Sequence, residues 1–405
     1  MHVRVRNTLG FALLLAVLGP LPLARAASGE YRASSWVFGT VATIAIIDRD
    51  AAHARNAAAL VWREFDRIHR DLHSWKPGDL VALNEAIAQG GKSIRTTAEI
   101  AALIGESQRL AAQSGDLFNP AIGKLVGLWS FHRDKPGGPI PDAQEIGKLV
   151  RANPRMGDLL VNGGTVTSSN PSVQLDFGGY AKGYALDRAA EILHANGVRN
   201  ALINVGGNVM ALGRRARRAW RVGIEAPRGG GLLGTIELHD GEALGTSGDY
   251  RRFYEIDGRR YAHIIDPRTG YPVPGVESVT VLVRRQPGAG ALSDAASKPV
   301  FIEGPGHWKE AAARMGISSA MLIDSEGRIH ITPELKARLR EPRAAERHAV
   351  DLRFPSRQPG LAWSCRAPSS RWRRCRRRRR RSPEGSECSR SWRDWRKQPR
   401  TPAPP

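Results

Sequence analysis

Residues 175–183 (LDFGGYAKG) and 263–270 (HIIDPRTG) concentrate charged residues, glycine and proline between apolar segments, and such residues can bind and activate a ligand. In the first segment, Asp176 and Lys182 flank a Gly-Gly pair at the start of a predicted helix. Free amides at a helix N-terminus and a lysine ammonium favour an anion such as phosphate, whereas a carboxylate suits a hydrogen-bonding group or a cation. A tight strand-to-helix turn with a solvated lysine is the alternative, because glycine motifs alone are weak signals.

The second segment begins with His263 and contains an Asp-Pro turn. An imidazole titrates near neutral pH, so His263 is a candidate general base. A single histidine at the end of a strand is more often an ordinary surface or core residue. The other charged turns along the chain favour the catalytic interpretation.

Periodic apolar positions predict the elements that hold these turns. Helical spacing covers residues 50–72, 96–114 and 180–196, and the second helix starts at a Thr96–Glu99 capping box. Further helices are predicted to begin near residue 293 and at 308, and strands are predicted at 41–47, 173–177, 201–205, 220–224, 235–238, 250–256, 260–265, 278–283, 319–323 and 329–332. Helices beside largely antiparallel strands indicate an α+β fold, and we expect two lobes that meet near residue 170.

Residues 1–26 have the parts of a secretory signal peptide. Arg4 and Arg6 precede an apolar run at 9–23, and residues 24–26 (ARA) form an A-x-A cleavage site. The run is too short, and too interrupted by proline, for a typical membrane-spanning helix. No cysteine follows the signal directly, which excludes a lipid on a mature N-terminal cysteine. The sequence therefore predicts an exported, periplasmic protein that is not a lipoprotein.

The net charge of +22 is located mainly in the last 51 residues. Residues 355–405 contain sixteen Arg or Lys and three acidic residues, including six consecutive arginines at 376–381, and lack apolar periodicity. Such a segment is predicted to be disordered, and it could make weak contact with an anionic membrane. We expect no specific nucleic-acid partner, since the remaining body has an ordinary charge. All three cysteines lie in this tail, so residues 27–354, the predicted folded domain, use neither disulfides nor thiolate chemistry.

The segments rich in charged residues, glycine and proline resemble, in their order along the chain, the motifs of one protein family. The chain resembles the FAD:protein FMN transferases, the ApbE family, over roughly residues 35–335. The blocks that carry the resemblance are SWKP at 74–77, GDLFNP at 115–120, LDFGGYAKG at 175–183, NVGGN at 204–208, TSGDY at 246–250, HIIDPRTG at 263–270 and SD at 293–294. The resemblance implies a T-fold-like α+β architecture with largely antiparallel sheets flanked by helices and the active site in the cleft between two lobes.

By resemblance, the expected reaction transfers the FMN half of FAD to a Ser or Thr hydroxyl of a partner protein and releases AMP. The resemblance implies His263 as the base and Asp294 as a second catalytic residue. It implies an acceptor with a short Ser/Thr motif, such as a redox-pump subunit or an FMN-carrying domain. Positions that match those holding FAD in the family are Phe38, Trp75, Leu117, Phe118, Asn119, Asp176, Lys182 and Ile265. Their aromatic, apolar and charged chemistry suits a flavin dinucleotide, although single apolar members would usually be plain core.

The chain departs from the family at the divalent cation. The resemblance implies magnesium bound by the carbonyl of Gly179, by Asp294 and by a threonine four residues later, but position 298 is lysine, with Ser297 before it. An ammonium cannot ligate a cation. At this spacing Asp294 and Lys298 could also form an ordinary helical ion pair.

Three hypotheses remain open at this stage, and we rank them in this order. In the first, Asp294, Gly179 and Ser297 still bind magnesium while Lys298 turns toward the pyrophosphate. In the second, Lys298 replaces the metal. In the third, the protein binds flavin in the periplasm without transferring it. A pyrophosphatase that splits FAD into FMN and AMP is a further alternative.

Overall fold

The computed structural model describes residues 29–48, 50–90, 93–133, 135–229 and 231–341. Their largest element is an antiparallel eight-stranded sheet with the strand order β1-β2-β6-β7-β10-β13-β14-β15. Its strands are β1 (Gly29–Val37), β2 (Thr40–Asp48), β6 (Ala201–Val205), β7 (Asn208–Leu212), β10 (Ala243–Gly248), β13 (Val276–Val283), β14 (Ser319–Asp324) and β15 (Ile329–Ile331). Strands from both sides of residue 170 therefore share this sheet.

Three small antiparallel sheets complete the strands of the described residues. They are β3 (Ile94–Arg95) with β5 (Thr165–Ser168) and β4 (Leu159–Asn162), β11 (Phe253–Ile256) with β12 (Arg259–Ala262), and β16 (Leu339–Arg340) with β9 (Leu232–Leu238) and β8 (Trp220–Glu225). The β11–β12 hairpin turns at Asp257 and Gly258, both with positive φ, as the Asp-Gly signal predicts.

The described residues form eight helices, of which the first, sixth, seventh and eighth contact the eight-stranded sheet. They are α1 (Ala51–Asp71), α2 (Asp79–Ala88), α3 (Ala98–Ser114), α4 (Gly123–Leu128), α5 (Ala143–Ala152), α6 (Ala181–Ala195), α7 (Ala289–Arg314) and α8 (Pro333–Arg338). All eight residues of β13 are buried, which fits a central strand covered on both faces. One large core joins this sheet to α1, α3, α6 and α7. The α+β fold predicted from the sequence is confirmed.

Helices α6 and α7 cross so closely that only glycine fits at the contact. A Cβ on Gly183 would lie 2.2 Å from the carbonyl oxygen of Gly290, and a Cβ on Gly290 would lie 2.5 Å from the carbonyl oxygen of Gly183. Asp187 on α6 also accepts hydrogen bonds from the amides of Gly290 (2.8 Å) and Ala291 (2.7 Å), at the start of α7. The crossing fixes the register of the two helices that hold the candidate site.

Helix α7 is kinked rather than straight. Gly304 and His307 have non-helical backbone angles, and Pro305 lies between them. The sequence predicts separate helices here, and the kink explains why, because proline and glycine interrupt a single helical pattern. Among the helices of the described ranges, none has the length and apolar character that a membrane span requires.

Candidate active site

The Gly-Gly turn positions Asp176 and Lys182 on one short segment. Residues Phe177–Gly179 form a 3-10 turn, and the carboxylate of Asp176 caps it by accepting a hydrogen bond from the amide of Gly178 at 2.7 Å. Helix α6 begins directly after the turn, and Lys182 in its first turn donates to the carbonyl of Gly178 at 3.3 Å. The strand predicted at 173–177 is absent from the described residues; a single parallel bridge between Ile122 and Gln174 takes its place.

Asp294 on α7 is buried beside this turn. One of its carboxylate oxygens accepts a hydrogen bond from the amide of Gly183 on α6 at 3.0 Å. Burial raises the pKa of Asp294, but the charges of Lys182 and Lys298 and the bond from Gly183 outweigh burial, so the pKa lies below its usual value. Asp294 is therefore ionised at neutral pH.

Lys298 lies one helical turn after Asp294 and pairs with it. The ammonium donates to the carbonyl oxygen of Asp294 at 2.8 Å and to its other carboxylate oxygen. The side chains are only 15% and 2% exposed, so this is a buried pair rather than a surface one. Burial lowers the pKa of Lys298 to about 8 against the opposing charge of Asp294, which leaves the ammonium mainly charged at neutral pH.

Ser297 makes two hydrogen bonds to other groups of the protein. Its hydroxyl donates to the carbonyl of Asp294 at 2.7 Å and shares a 2.7 Å hydrogen bond with the hydroxyl of Ser247 on β10. Both serines are buried. The expectation that Ser297 ligates a metal does not fit this arrangement, because the hydroxyl joins α7 to the sheet instead.

One ring nitrogen of His263 makes a hydrogen bond to a backbone carbonyl. Its Nδ1 lies 3.1 Å from the carbonyl oxygen of Arg252. A carbonyl only accepts, so Nδ1 carries the proton in the neutral ring and Nε2 has the lone pair. This is the tautomer that a general base needs.

The environment of His263 is strongly positive. Burial, with the charges of Lys182, Arg252 and Lys298 acting in the same sense, lowers the pKa of His263 to about 3. The imidazole is therefore neutral at physiological pH. The charge of His263 is therefore coupled to Lys182, next to the Gly-Gly turn, and to Lys298.

Trp75 provides an aromatic wall beside Asp176. Its indole N–H donates to the second carboxylate oxygen of Asp176 at 3.0 Å, and its ring stacks on His132 with centroids 4.4 Å apart and an interplanar angle of 26°. A Cβ on Gly127 would lie 2.8 Å from the indole ring of Trp75, so α4 packs tightly against this ring. Trp75 and Asp176 thus form one hydrogen-bonded unit, as expected for neighbouring ligand contacts.

His132 is a site residue that the sequence prediction missed. It stacks on Trp75, its Nδ1 is buried and has no hydrogen-bond partner within the described ranges, and its pKa is lowered by burial and by the neighbouring Arg133. The charge of Asp176 acts on it in the opposite sense. The only signal in the sequence is a histidine in a Trp- and Phe-rich segment at 129–132, which gives no reason to expect a partner 57 positions earlier.

Phe38 lies in the tight β1–β2 hairpin with Gly39, and both have positive φ (53° and 67°). This conformation is unusual for a bulky residue and is compatible with a two-residue hairpin turn. Edge contacts with Phe65 (5.9 Å) and His69 (5.6 Å) hold its ring. Strained positions of this kind cluster at functional sites, which is consistent with the predicted ligand contact.

The remaining predicted flavin contacts have clear structural roles. Leu117 and Phe118 are buried in the main core, and Asn119 shapes its loop by donating to the carbonyl of Pro154 at 2.9 Å and accepting from the amide of Ala121 at 3.0 Å. Ile265 belongs to a separate cluster with Trp129, Phe131 and Tyr261. For these four residues, the structure shows packing and loop geometry, and flavin contact stays a prediction.

The residues expected to hold magnesium do not fit a divalent cation in this arrangement. A Cβ on Gly179 would lie 3.2 Å from Cε of Lys298, so the lysine side chain fills the space between Gly179 and Asp294. One carboxylate oxygen of Asp294 is bound to an amide and the other to an ammonium. Within the residues that the structure describes, no group of three His, Cys, Asp or Glu side chains could hold a metal. The first hypothesis, with Lys298 turned away from Asp294, is therefore not the arrangement observed.

Asp176, Trp75 and Lys182 thus lie at the glycine turn before α6, with Asp294 and Lys298 beside it, and His263 is coupled electrostatically to both lysines. The model of the ApbE family matches residues 38–322, which include every one of these groups. The chain belongs to the ApbE family.

Two relatives of this ApbE family member are both named FAD:protein FMN transferase. An FAD:protein FMN transferase of Rhodobacter capsulatus is 42% identical over 351 residues, which are 87% of this chain and 65% of the relative. An FAD:protein FMN transferase of Treponema pallidum is 34% identical over 289 residues, 67% of this chain and 79% of the relative. The chain thus spans slightly less than two thirds of the length of the Rhodobacter relative.

The fold is also shared with a solved structure. The ApbE protein of Thermotoga maritima aligns with a TM-score of 0.69 and 28% identity, over 77% of this chain and all of that one. The α+β architecture with antiparallel sheets is therefore confirmed for this ApbE family member, and the two lobes with a cleft between them stay a prediction.

Proposed function

We propose that this protein is an FAD:protein FMN transferase. An acceptor Ser or Thr hydroxyl attacks the phosphorus on the FMN side of the FAD diphosphate. A new phosphoester bond forms, the bond to the bridging oxygen breaks, and that oxygen leaves with AMP. The hydroxyl proton passes to Nε2 of His263 and then to the departing phosphate or to water. Such a transfer needs positioned groups and neutralised charge more than covalent help from the protein.

The observation that supports this proposal most strongly is the pairing of a neutral imidazole with surrounding cations. His263 presents Nε2 as an acceptor because Nδ1 is held by the carbonyl of Arg252. Lys182, Lys298 and Arg252 all act on it electrostatically. A base that stays neutral beside cations suits a site in which an anion binds and a hydroxyl must lose its proton.

The residues around the Gly-Gly turn would hold the dinucleotide. The free amides at the start of α6 and the ammonium of Lys182 suit the diphosphate. Trp75 and Phe38 offer aromatic faces, and Asp176 can accept from a ring or ribose group while Trp75 holds it in place. The family relationship supports this assignment of parts.

The setting of the reaction belongs to the same proposal. We propose that residues 1–26 direct export to the periplasm and are removed after Ala26, and that the acceptor is a protein with a Ser/Thr flavinylation motif, such as a redox-pump subunit or an FMN-carrying domain. The signal peptide and the basic tail lie outside the described residues, as does any weak contact of the tail with an anionic membrane. N-terminal sequencing of the exported protein tests the cleavage position.

Acceptor labelling tests the activity directly. Purified protein is incubated with FAD and a candidate acceptor domain, and mass spectrometry measures addition of one FMN to the acceptor together with release of AMP. Free FMN and AMP without a labelled acceptor would indicate a pyrophosphatase instead. FAD binding with neither product would indicate a flavin-binding module without transfer.

Replacement of His263 by glutamine tests the catalytic assignment. Loss of a general base typically costs about 10²–10⁴ in rate, so H263Q should reduce labelling by at least about 10²-fold, whereas FAD affinity should change by less than about threefold. His194→Gln, an exposed change in the last turn of α6, is the matched control and should label at the wild-type rate. Equal rates for H263Q and wild type would remove His263 from the mechanism.

A further inference from the structure

The positions at which the family resemblance places a divalent cation converge on the ammonium of Lys298 instead. Asp294 binds the ammonium through its carboxylate and its backbone carbonyl. Cε of Lys298 lies 3.2 Å from the position that a Cβ on Gly179 would occupy. A positive charge therefore already lies where Gly179 and Asp294 come together.

The pair is built into the protein rather than placed on its surface. Asp294 is 2% exposed, its other oxygen is held by the amide of Gly183, and the two glycines at the α6–α7 contact fix the distance between the helices. An exposed ion pair at this spacing would contribute little. A buried carboxylate needs a partner, and Lys298 is the partner that this chain supplies.

The two lysines retain hydrogen-bond donors for an anion. A lysine ammonium has three N–H donors. Within the described part of the chain, Lys298 uses two of them on Asp294 and Lys182 uses one on Gly178. Three donors therefore remain on two ammonium groups beside the amides of the Gly-Gly turn. A dinucleotide diphosphate carries two negative charges and oxygen acceptors that match such donors.

We propose that the ammonium of Lys298 is the permanent cation of this site and takes the place of a divalent metal ion. This inference rests on the proposed function for the identity of the anion, which is the diphosphate of FAD. FAD binding and FMN transfer then need no metal ion, and Lys298 contacts a phosphate oxygen while Asp294 holds it in position. At residue 298, the chain would then have replaced the positive charge of a metal ion with the positive charge of an ammonium group.

Direct metal binding decides the question without any assay of transfer. Mn²⁺ is titrated into the purified protein, and electron paramagnetic resonance measures the free ion. Wild-type protein should bind less than 0.1 equivalent at 0.1 mM Mn²⁺, about the level of nonspecific binding. Lys298→Thr removes the ammonium, leaves the Asp294 carboxylate without its cation and offers a hydroxyl, so this variant should gain one Mn²⁺ site. Lys309→Thr, on the exposed part of α7 beyond the kink, is the matched control and should gain none.

Flavin binding provides the second measurement. Quenching of FAD fluorescence should give the same Kd within about twofold for wild type in EDTA and in 5 mM Mg²⁺. For Lys298→Thr the Kd should rise at least tenfold in EDTA and recover in Mg²⁺. Circular dichroism shows whether the variant is folded, and if it is not, the wild-type measurements alone still decide.

Two results would overturn the inference. One is stoichiometric Mn²⁺ binding by wild type, or a Kd for FAD that rises tenfold when EDTA replaces Mg²⁺. The other is a folded Lys298→Thr variant that binds FAD normally in EDTA and gains no Mn²⁺ site. If wild type bound no FAD at all, the proposed function would fail, but the Mn²⁺ titrations would still test whether Lys298 excludes a metal.

Discussion

His263 shows how one hydrogen bond and a few charges prepare a residue for a task. The carbonyl of Arg252 fixes the tautomer, while burial and three cations keep the ring neutral. A ring with so low a pKa is a weak base in the free protein. A bound diphosphate would offset much of this positive potential, so the same ring becomes more basic when substrate is present.

The pKa of His263 can be measured by NMR titration of its ring. In the free protein the ring should stay neutral, with the proton on Nδ1, from pH 8 down to at least pH 5, because its pKa is lowered to about 3. Lys182→Met removes one of the three cations, so the midpoint should move upward. Lys124→Met, on α4, is the control and should not move it, because Lys124 is not among the charges that shift the pKa of His263. A midpoint near 6.5 in the wild-type protein would contradict this account of the site.

The prediction from sequence succeeded best where the chemistry is local. Asp176 and Lys182 share one short turn, and Asp294 and Lys298 pair across one helical turn, as their sequence spacing predicts. Contacts between distant segments gave no such signal. His132 reaches the site only because Trp75 folds back onto it, and the bond between Ser297 and Ser247 depends on how α7 lies on β10.

At the scale of elements, the long helices and nine of the sixteen strands in the described residues were predicted from their apolar pattern. The strands β1, β3, β4, β5, β7, β10 and β16 were missed, and the ends of some predicted elements were misplaced. Helix α3 is capped by Thr97, whose hydroxyl accepts from the amide of Ile100 at 3.2 Å, rather than by the predicted Thr96. Glu99 does not complete a capping box, because it pairs with Arg67 on α1. Helices α2, α4 and α5 were missed, since their short turns lie between loops rich in glycine and proline. Tertiary contacts decide such cases.

Two glycine-to-alanine changes, one at the α6–α7 crossing and one on α3, should have opposite effects on stability. Gly183→Ala places a Cβ 2.2 Å from the carbonyl of Gly290 and 2.7 Å from Cβ of Asp294, so the helices must separate. The free energy of unfolding should fall by at least about 2 kcal/mol, as overpacking does, and FAD affinity should fall with it. Gly105→Ala, exposed on α3 with nothing within 4 Å, should instead raise stability by up to about 1 kcal/mol. Urea denaturation measures both, and equal effects would contradict the proposed contact.

Asp187 links the same two helices in a way that depends on pH. It caps the first amides of α7, and burial raises its pKa to about 6. A carboxyl whose folded-state pKa is raised contributes stability that is fully present below its unfolded pKa and is lost as pH rises through about 6. Asp187→Ala should therefore destabilise the protein more at pH 5 than at pH 8.

Urea denaturation at the two pH values measures this difference. Asp66→Ala, an exposed change on α1, is the control and should have the same small effect at both. A cost for Asp187→Ala that is larger at pH 8 would mean that the carboxylate, rather than the carboxyl group, is the favoured form at the crossing.

At the scale of the whole molecule, the charge of the chain and the charge of its site are separate matters. The tail at 355–405 supplies most of the excess positive charge, and it lies outside the described residues. The candidate site is positive because of three individual side chains. Net charge alone would therefore have suggested a polyanion as partner, whereas the site suits a small dinucleotide.

Removal of residues 355–405 tests this separation. The shortened protein should keep the Kd for FAD within about twofold and the thermal midpoint within about 2 °C, because surface changes away from the core have small effects. Its retention on heparin should fall sharply, since sixteen Arg or Lys residues are lost. A large drop in the thermal midpoint would mean that the folded domain extends into this segment.

The buried lysine on α7 has a consequence for the export that we propose. A metal ion can be stripped by a chelator or displaced by zinc or copper, and its occupancy follows the supply in the surroundings. A charge on a side chain is part of the polypeptide, so every molecule carries one. Activity that depends on it would be indifferent to metal starvation and to metal poisoning alike.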